Sequence, residues 1–143
     1  PGELIQRYAL LLGGWMSKSG FKDGCPIATT VLEMACEADV IRCAGEAAFA
    51  GWAAVFSRAL EAEQVPPARA KRLASMAIAA IEGALIQARV TVKQQPLLDS
   101  AQEIATAFDA AINEARNAER SKSAAARAPR KTTVTRKKHG ASA

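Results

Sequence analysis

An all-α fold is what this sequence predicts, and three observations predict it. Half of the 143 residues are hydrophobic and only 5% are aromatic, while Ala is abundant and β-branched residues are scattered. That composition favours helices. Apolar residues recur at steps of three and four through most of the chain, the spacing of one helical face. Residues 70–92 are the extreme case, with no Pro and one glycine, Gly83. Leu73, Met76, Ala77, Ala80, Ile81, Ala84, Leu85 and Ala88 share a face, and Ala74, Ile78 and Ile86 are apolar elsewhere on the helix. Lys71, Ser75, Glu82 and Arg89 form a thin polar line. A helix that is apolar nearly all round must be buried nearly all round. It would run about 35 Å, so one layer of neighbours from so short a chain hardly covers it. A second copy is the simplest cover, and a homodimer is expected.

The other elements follow in order. Residues 3–18 read as a helix with Leu4, Ile5, Tyr8, Leu11, Leu12, Trp15 and Met16 on one broad face. Gly13-Gly14 weakens it near its end. Ser19 to Gly24 is a loop by its Gly and Asp content. Cys25-Pro26 opens a second helix, because Pro at the first helical position forfeits no hydrogen bond. This helix is expected to reach about Ala38, with Asp39 as the N-cap of the next. Residues 40–63 carry two apolar stripes, one through Ile41, Ala48 and Val55, the other through Gly45, Phe49, Trp52, Phe56 and Leu60. Two stripes imply a helix packed between others. Val65-Pro66-Pro67 ends it and starts the apolar helix. After a connection at residues 93–96, Leu97, Ala101, Ile104, Ala105, Phe108, Ala111, Ile112 and Ala115 mark one face of a last helix that fades near Glu119. From Ser121 the periodicity is gone and disorder is expected.

The net charge of +5 hides two unlike regions. Residues 1–114 hold ten Lys/Arg and thirteen Asp/Glu, a net −3; residues 115–143 hold nine and one, a net +8. The organisation expected is a folded domain over 1–118 and a basic tail over 119–143. The tail suits weak, salt-sensitive, non-specific contact with nucleic acid phosphates. Cys25, Cys36 and Cys43 are odd in number and follow no secretory signal, which points to reduced thiols in a cytoplasmic setting. Buried, unreactive thiols are expected. No charge-free apolar run is long enough for a membrane span. Pro1 in place of Met is what a fragment or a processed product would show.

Little in the chain suggests catalysis. The lone His139 lies in the tail, so no nucleophile–base pair forms around it. The cysteines lack zinc spacing and a second His, and the glycines follow no strand and make no phosphate loop. No cofactor, metal or catalytic residue is expected. Trp15, Phe21, Phe49, Trp52 and Phe56 are placed to line an apolar cavity between helices, although core packing accounts for any one of them as well. Met76 and the isolated Glu82 complete the candidate ligand-binding set. Met76, Ala77, Ala80, Ile81, Gly83, Ala84, Leu97, Ile104, Phe108 and Ile112 are the candidate dimer contacts.

Three segments resemble a known family. Ser19-Gly20-Phe21-Lys22-Asp23-Gly24-Cys25-Pro26 is similar to the SGF-x-x-GCP segment of TetR-type transcriptional repressors of the LmrA/YxaF-like subgroup. Phe49-Ala50-Gly51-Trp52 resembles its FAxW helix. Val65-Pro66-Pro67-Ala68-Arg69-Ala70, with Ile81-Glu82-Gly83-Ala84-Leu85-Ile86-Gln87-Ala88-Arg89, resembles its VPPARA…LEGALLLAR run. The likeness covers roughly residues 3–112. It implies an effector-binding and dimerisation domain whose last two long helices, here residues 67–92 and 97–118, form a four-helix bundle with a partner. It places a small apolar or aromatic effector among the middle helices, near Phe49, Trp52 and Phe56. Family members carry a DNA-reading helix-turn-helix ahead of this region; this chain has none, so specific DNA contact is expected only through that missing domain. The competing expectation is a helical homodimer with a structural or carrier role and an acidic partner for its tail.

Overall fold

The computed structural model describes residues 1–127, which form five α-helices and no strand. They are α1 (Gly2–Lys18), α2 (Pro26–Met34), α3 (Asp39–Ala62), α4 (Pro67–Thr91) and α5 (Gln95–Arg127). The all-α expectation holds. Residues 128–143, including His139 and most of the expected disordered tail, lie outside the described residues.

The helix ends follow local chemistry. Pro26 is the first residue of α2, and Cys25 caps it by accepting the Ala28 N–H on its sulfur at 3.4 Å. α2 stops at Met34, four residues before the expected end. Ala38 adopts an extended conformation as the N-cap of α3, so the chain must leave the first helix earlier. Asp39 is consequently the first helical residue and not the cap, and its carboxylate receives hydrogen bonds from Arg42. An acid there still suits the positive end of the helix dipole. At the close of α4, Val92 is left-handed (φ 54°, ψ 40°), and the Lys93 N–H returns to the Ala88 carbonyl at 3.2 Å. That is the geometry of a Schellman-type stop, here on a β-branched residue where glycine is usual.

α5 continues past Glu119 to Arg127, so residues 121–127 are helical and not disordered. Periodicity is lost here without loss of the helix. Ala, Arg and Lys sustain a helix by intrinsic propensity without an apolar stripe, and residues 119–124 are all exposed.

α1 runs antiparallel along α5. Gly2 lies beside Ala105 and Asp109, Gln6 donates to Gln102 at 3.0 Å, and Gln94 donates to Ser17. α4 packs between α3 and α5, while α2 rests on α3. Phe56 joins Tyr8 of α1 to Phe108 of α5, with ring centroids 6.4 Å and 6.1 Å apart. Around this aromatic line the seams are rich in alanine. Ala70, Ala74, Ala77, Ala84 and Ala88 of α4 and Ala101, Ala105 and Ala111 of α5 are all buried. α4 is long and apolar enough to cross a membrane, but its buried alanines and isoleucines pack against helices of its own chain.

This packing buries most of the expected dimer set within one protomer. Ala77, Ile81, Ala84, Leu97, Ile104, Phe108 and Ile112 are at most 6% exposed within the single chain. α5 folds back on α1 and α4, so its apolar stripe is consumed internally. Met76, Ala80 and Gly83 alone of that set keep outward surface. They belong to a second stripe on α4 with Ala79, Ile86 and Val90, of which Met76, Ile86 and Val90 are 43%, 58% and 78% exposed.

The α2–α3 contact depends on Gly45, where an added Cβ would overlap Val31 Cγ2. Val31 has few rotamers with which to yield. Gly45→Ala should therefore cost about 1–3 kcal/mol in urea unfolding, the usual penalty of overpacking, and adding Val31→Ala should recover part of it. A Gly45→Ala protein as stable as the parent would contradict the close approach.

Candidate ligand-binding cavity

Helical spacing assembles an open cavity of about 720 Å³ between α1, α2, α3 and α4. α1 contributes Tyr8, Leu12 and Trp15, at the four- and three-residue steps of one face. α4 contributes Glu82, Leu85 and Arg89 by the same rule. α3 adds Trp52. The N-terminal half of α2 and the loop before it close the remaining side with Cys25, Thr29 and Thr30 above Lys22 and Asp23. No side chain of α2 is fully buried, so this helix lies over the cavity as a thin cover.

The two threonines of the wall are already occupied. Thr29 and Thr30 donate to the Cys25 and Pro26 carbonyls at 3.1 Å and 2.8 Å. Glu82 differs. Burial pushes its carboxyl above the usual carboxylate range, and the neighbouring Cys25 thiol pulls it only partly back. The Cys25 thiol is raised by burial, an effect the Ala28 N–H opposes and the Glu82 charge reinforces. Tyr8 is raised by burial and then by the same charge. Tyr8, Cys25 and Glu82 thus form one electrostatically coupled corner in an otherwise apolar wall.

Three of the expected ligand-binding residues, Trp15, Trp52 and Glu82, meet at this cavity. The other four lie elsewhere. Phe49 stands edge-on to Trp52 at 5.5 Å and supports it from outside the lining. Phe21 packs on the core from the turn after α1, at φ 61°. Phe56 is 4% exposed in the core and reaches only a small neighbouring hollow of about 170 Å³ with Leu4, Tyr8, Trp52 and Val55. Met76 points outward, because six residues at about 100° each turn it roughly 120° away from Glu82. Tyr8, Leu12, Cys25, Leu85 and Arg89 are lining residues that the sequence reading missed. Projecting helical steps from Trp15 and Glu82 finds four of them. Cys25 needs the fold of the loop.

The thiols also need correction. Cys36 and Cys43 are exposed, and Cys25 is half-buried in the cavity wall. Among the described residues, no group of three or more His, Cys, Asp or Glu could hold a metal ion.

An all-helical domain with a side cavity and an apolar outer stripe is the class that fold and site define. Residues 1–103 match the family model of the transcriptional regulator LmrA/YxaF-like C-terminal domain, and the chain belongs to that TetR-type family. Two relatives, one from each of two strains of Mycobacterium tuberculosis, are named uncharacterized HTH-type transcriptional regulators. Each is 37% identical over 82 residues, which cover 54% of this chain and 42% of the relative. The chain thus spans less than half the length of these relatives. No solved structure matches it.

A thiol reagent such as Ellman's should titrate two cysteines fast and one slowly near neutral pH. The slow one is Cys25, whose raised pKa leaves less thiolate, the reacting form. Burial is the main cause of that rise, and Glu82→Gln removes the charge that adds to it, so the variant should speed that third reaction. Three equal rates in the parent protein would refute the shielding of Cys25.

Proposed function

We propose that this chain is the effector-binding and dimerisation part of a bacterial, cytoplasmic TetR-type transcriptional regulator, with no catalytic role. The observation that carries the reading is the cavity between α1, α2, α3 and α4, in a chain of this family. Its volume lies within the range that takes drug-sized molecules. Its aromatic and apolar lining suits a small apolar or aromatic effector. The family assignment gives no support to the structural or carrier alternative.

The mechanism is linkage. A ligand shifts the helices only by binding one arrangement better than another. α4 presents Glu82, Leu85 and Arg89 to the cavity and Met76, Gly83, Ile86 and Val90 to the outside. A displacement of α4 on ligand binding is therefore felt on its outer stripe. A second copy packed there carries the change to a DNA-reading domain outside this chain, and specific DNA binding resides in that domain. The basic residues after Arg116 supply at most weak, salt-sensitive contacts with phosphate.

The outer stripe supports the dimer. Met76, Ala79, Gly83, Ile86 and Val90 are spaced three, four, three and four, the pattern of a helix–helix seam. A Cβ added at Gly83 meets nothing within 4 Å in the single chain.

Light scattering should give a dimer at micromolar concentration, and Ile86→Glu should shift it to monomer while leaving the helical circular dichroism intact. Gly83→Leu should weaken the dimer without destabilising the monomer. A monomeric parent would sink the dimer. For the cavity, apolar aromatic compounds that raise the melting temperature should lose that effect in Trp52→Ala. Compounds whose shift persists unchanged in that variant bind elsewhere.

A further inference from the structure

We infer that the cavity selects a cationic ligand, an aromatic or apolar amine whose ammonium group rests against Glu82. This deepens the effector-binding reading and rests on it. Glu82 sits midway along α4, half-buried in the cavity wall between the apolar residues Ile81 and Leu85. Among the described residues it takes part in no ion pair. The four salt bridges, Arg7–Glu3, Arg42–Asp39, Arg69–Glu114 and Arg116–Glu63, all lie elsewhere. Its polar neighbours are the Cys25 thiol and Tyr8, and neither carries positive charge. A carboxylate removed from water without a counter-charge is costly, and a cation beside it offsets that cost.

The surrounding wall suits a cation further. Tyr8, Trp15 and Trp52 line the same cavity, and electron-rich ring faces attract an ammonium group, most strongly where water is thin, which favours half-buried Tyr8 and Trp52 over exposed Trp15. Arg89 and Lys22 also line the cavity, but both are exposed. Arg89 lies seven residues along α4 from Glu82, about 10 Å at the helical rise. The cavity thus holds one half-buried carboxylate in its wall, while its other charged lining residues, Lys22, Asp23 and Arg89, are exposed. An anionic ligand on the aromatic wall would share that wall with the Glu82 carboxylate. An amine there brings the counter-charge that Glu82 lacks.

Acid should weaken the selectivity. The charged groups facing Glu82 or lining its cavity are Lys22 and Asp23 from the loop and Arg89 from α4, with Tyr8 and Cys25 titrating only at alkaline pH. Burial lifts the Glu82 carboxyl above the usual carboxylate range. Its protonation therefore begins at a higher pH than for an exposed glutamate, and the amine loses its counter-charge there.

Three probes of one shape provide the test: 1-naphthylmethylamine, 1-naphthylmethanol and 1-naphthoate, titrated calorimetrically into the full chain at pH 7.5. The amine should bind at least tenfold more tightly than the alcohol, and the naphthoate most weakly. The amine's advantage should shrink between pH 7.5 and pH 5. In Glu82→Gln, which keeps the side chain's size, amine and alcohol should agree within about twofold at both pH values. Circular dichroism of the variant confirms that its fold is retained. Binding of all three probes without preference, or tighter binding of the naphthoate, overturns the cation assignment and leaves the cavity reading standing. An amine preference that survives Glu82→Gln also overturns it. Failure of all three probes to bind, or binding untouched by Trp52→Ala, overturns the cavity as the effector site and this assignment with it.

Discussion

A helix that is apolar around most of its circumference must be covered from several directions, and α4 sets that requirement for the whole chain. α3 covers one flank and α5 another, and their positions fix α1 and α2 in turn. Each fully buried large aliphatic side chain is worth about 1.5–3 kcal/mol, so Ile78, Ile81 and Leu85 hold α4 firmly. Its outer face is left over. The surface ion pairs that bracket the far end of the bundle, Arg69–Glu114 and Arg116–Glu63, are partly exposed and add little beside this burial. Apolar coverage, and not charge pairing, determines the architecture.

The same helix explains why polar chemistry in the site is sparse. α4 can afford few interruptions of its apolar surface, and Glu82 is the one that falls among the buried turns. Its neighbours answer it locally. The Cys25 sulfur, at the head of α2, accepts the Ala28 N–H and lies close enough to Glu82 for each group to shift the other's titration. One atom therefore both caps a helix and stands beside a carboxylate.

Much of the fold could be read from the residues. Three-and-four spacing located all five helices, and Pro26 and Pro67 located two of their starts. Boundaries were less legible where two helices compete for a connection. Ala38 became a cap because α3 begins at once, so α2 was shortened, and nothing in Asp39 alone reveals that. α5 outran its apolar stripe because alanine and lysine need no core to remain helical. Periodicity also says that a face is buried without saying by what. Phe108 and Ile104 have a partner's signature and a core residue's fate, and Phe56 has the spacing of a cavity residue but belongs to the core. Trp15, Trp52 and Glu82 did reach one cavity, since each lies on a helix whose orientation the stripes define. Cys25 could not be placed there, because loop geometry carries no period.

The alanine-rich seams of α4 and α5 have a mechanical consequence. Long side chains lock neighbouring helices by interdigitating, and sliding must lift each ridge out of its groove. Ala74, Ala77, Ala84 and Ala88 on α4 and Ala101, Ala105 and Ala111 on α5 present shallow ridges. Shear of packed helices is one of the ways proteins change shape. Along the alanine rows resistance to such sliding is low, and it is concentrated at the few large buried side chains, Ile81 on α4 and Ile104 and Phe108 on α5.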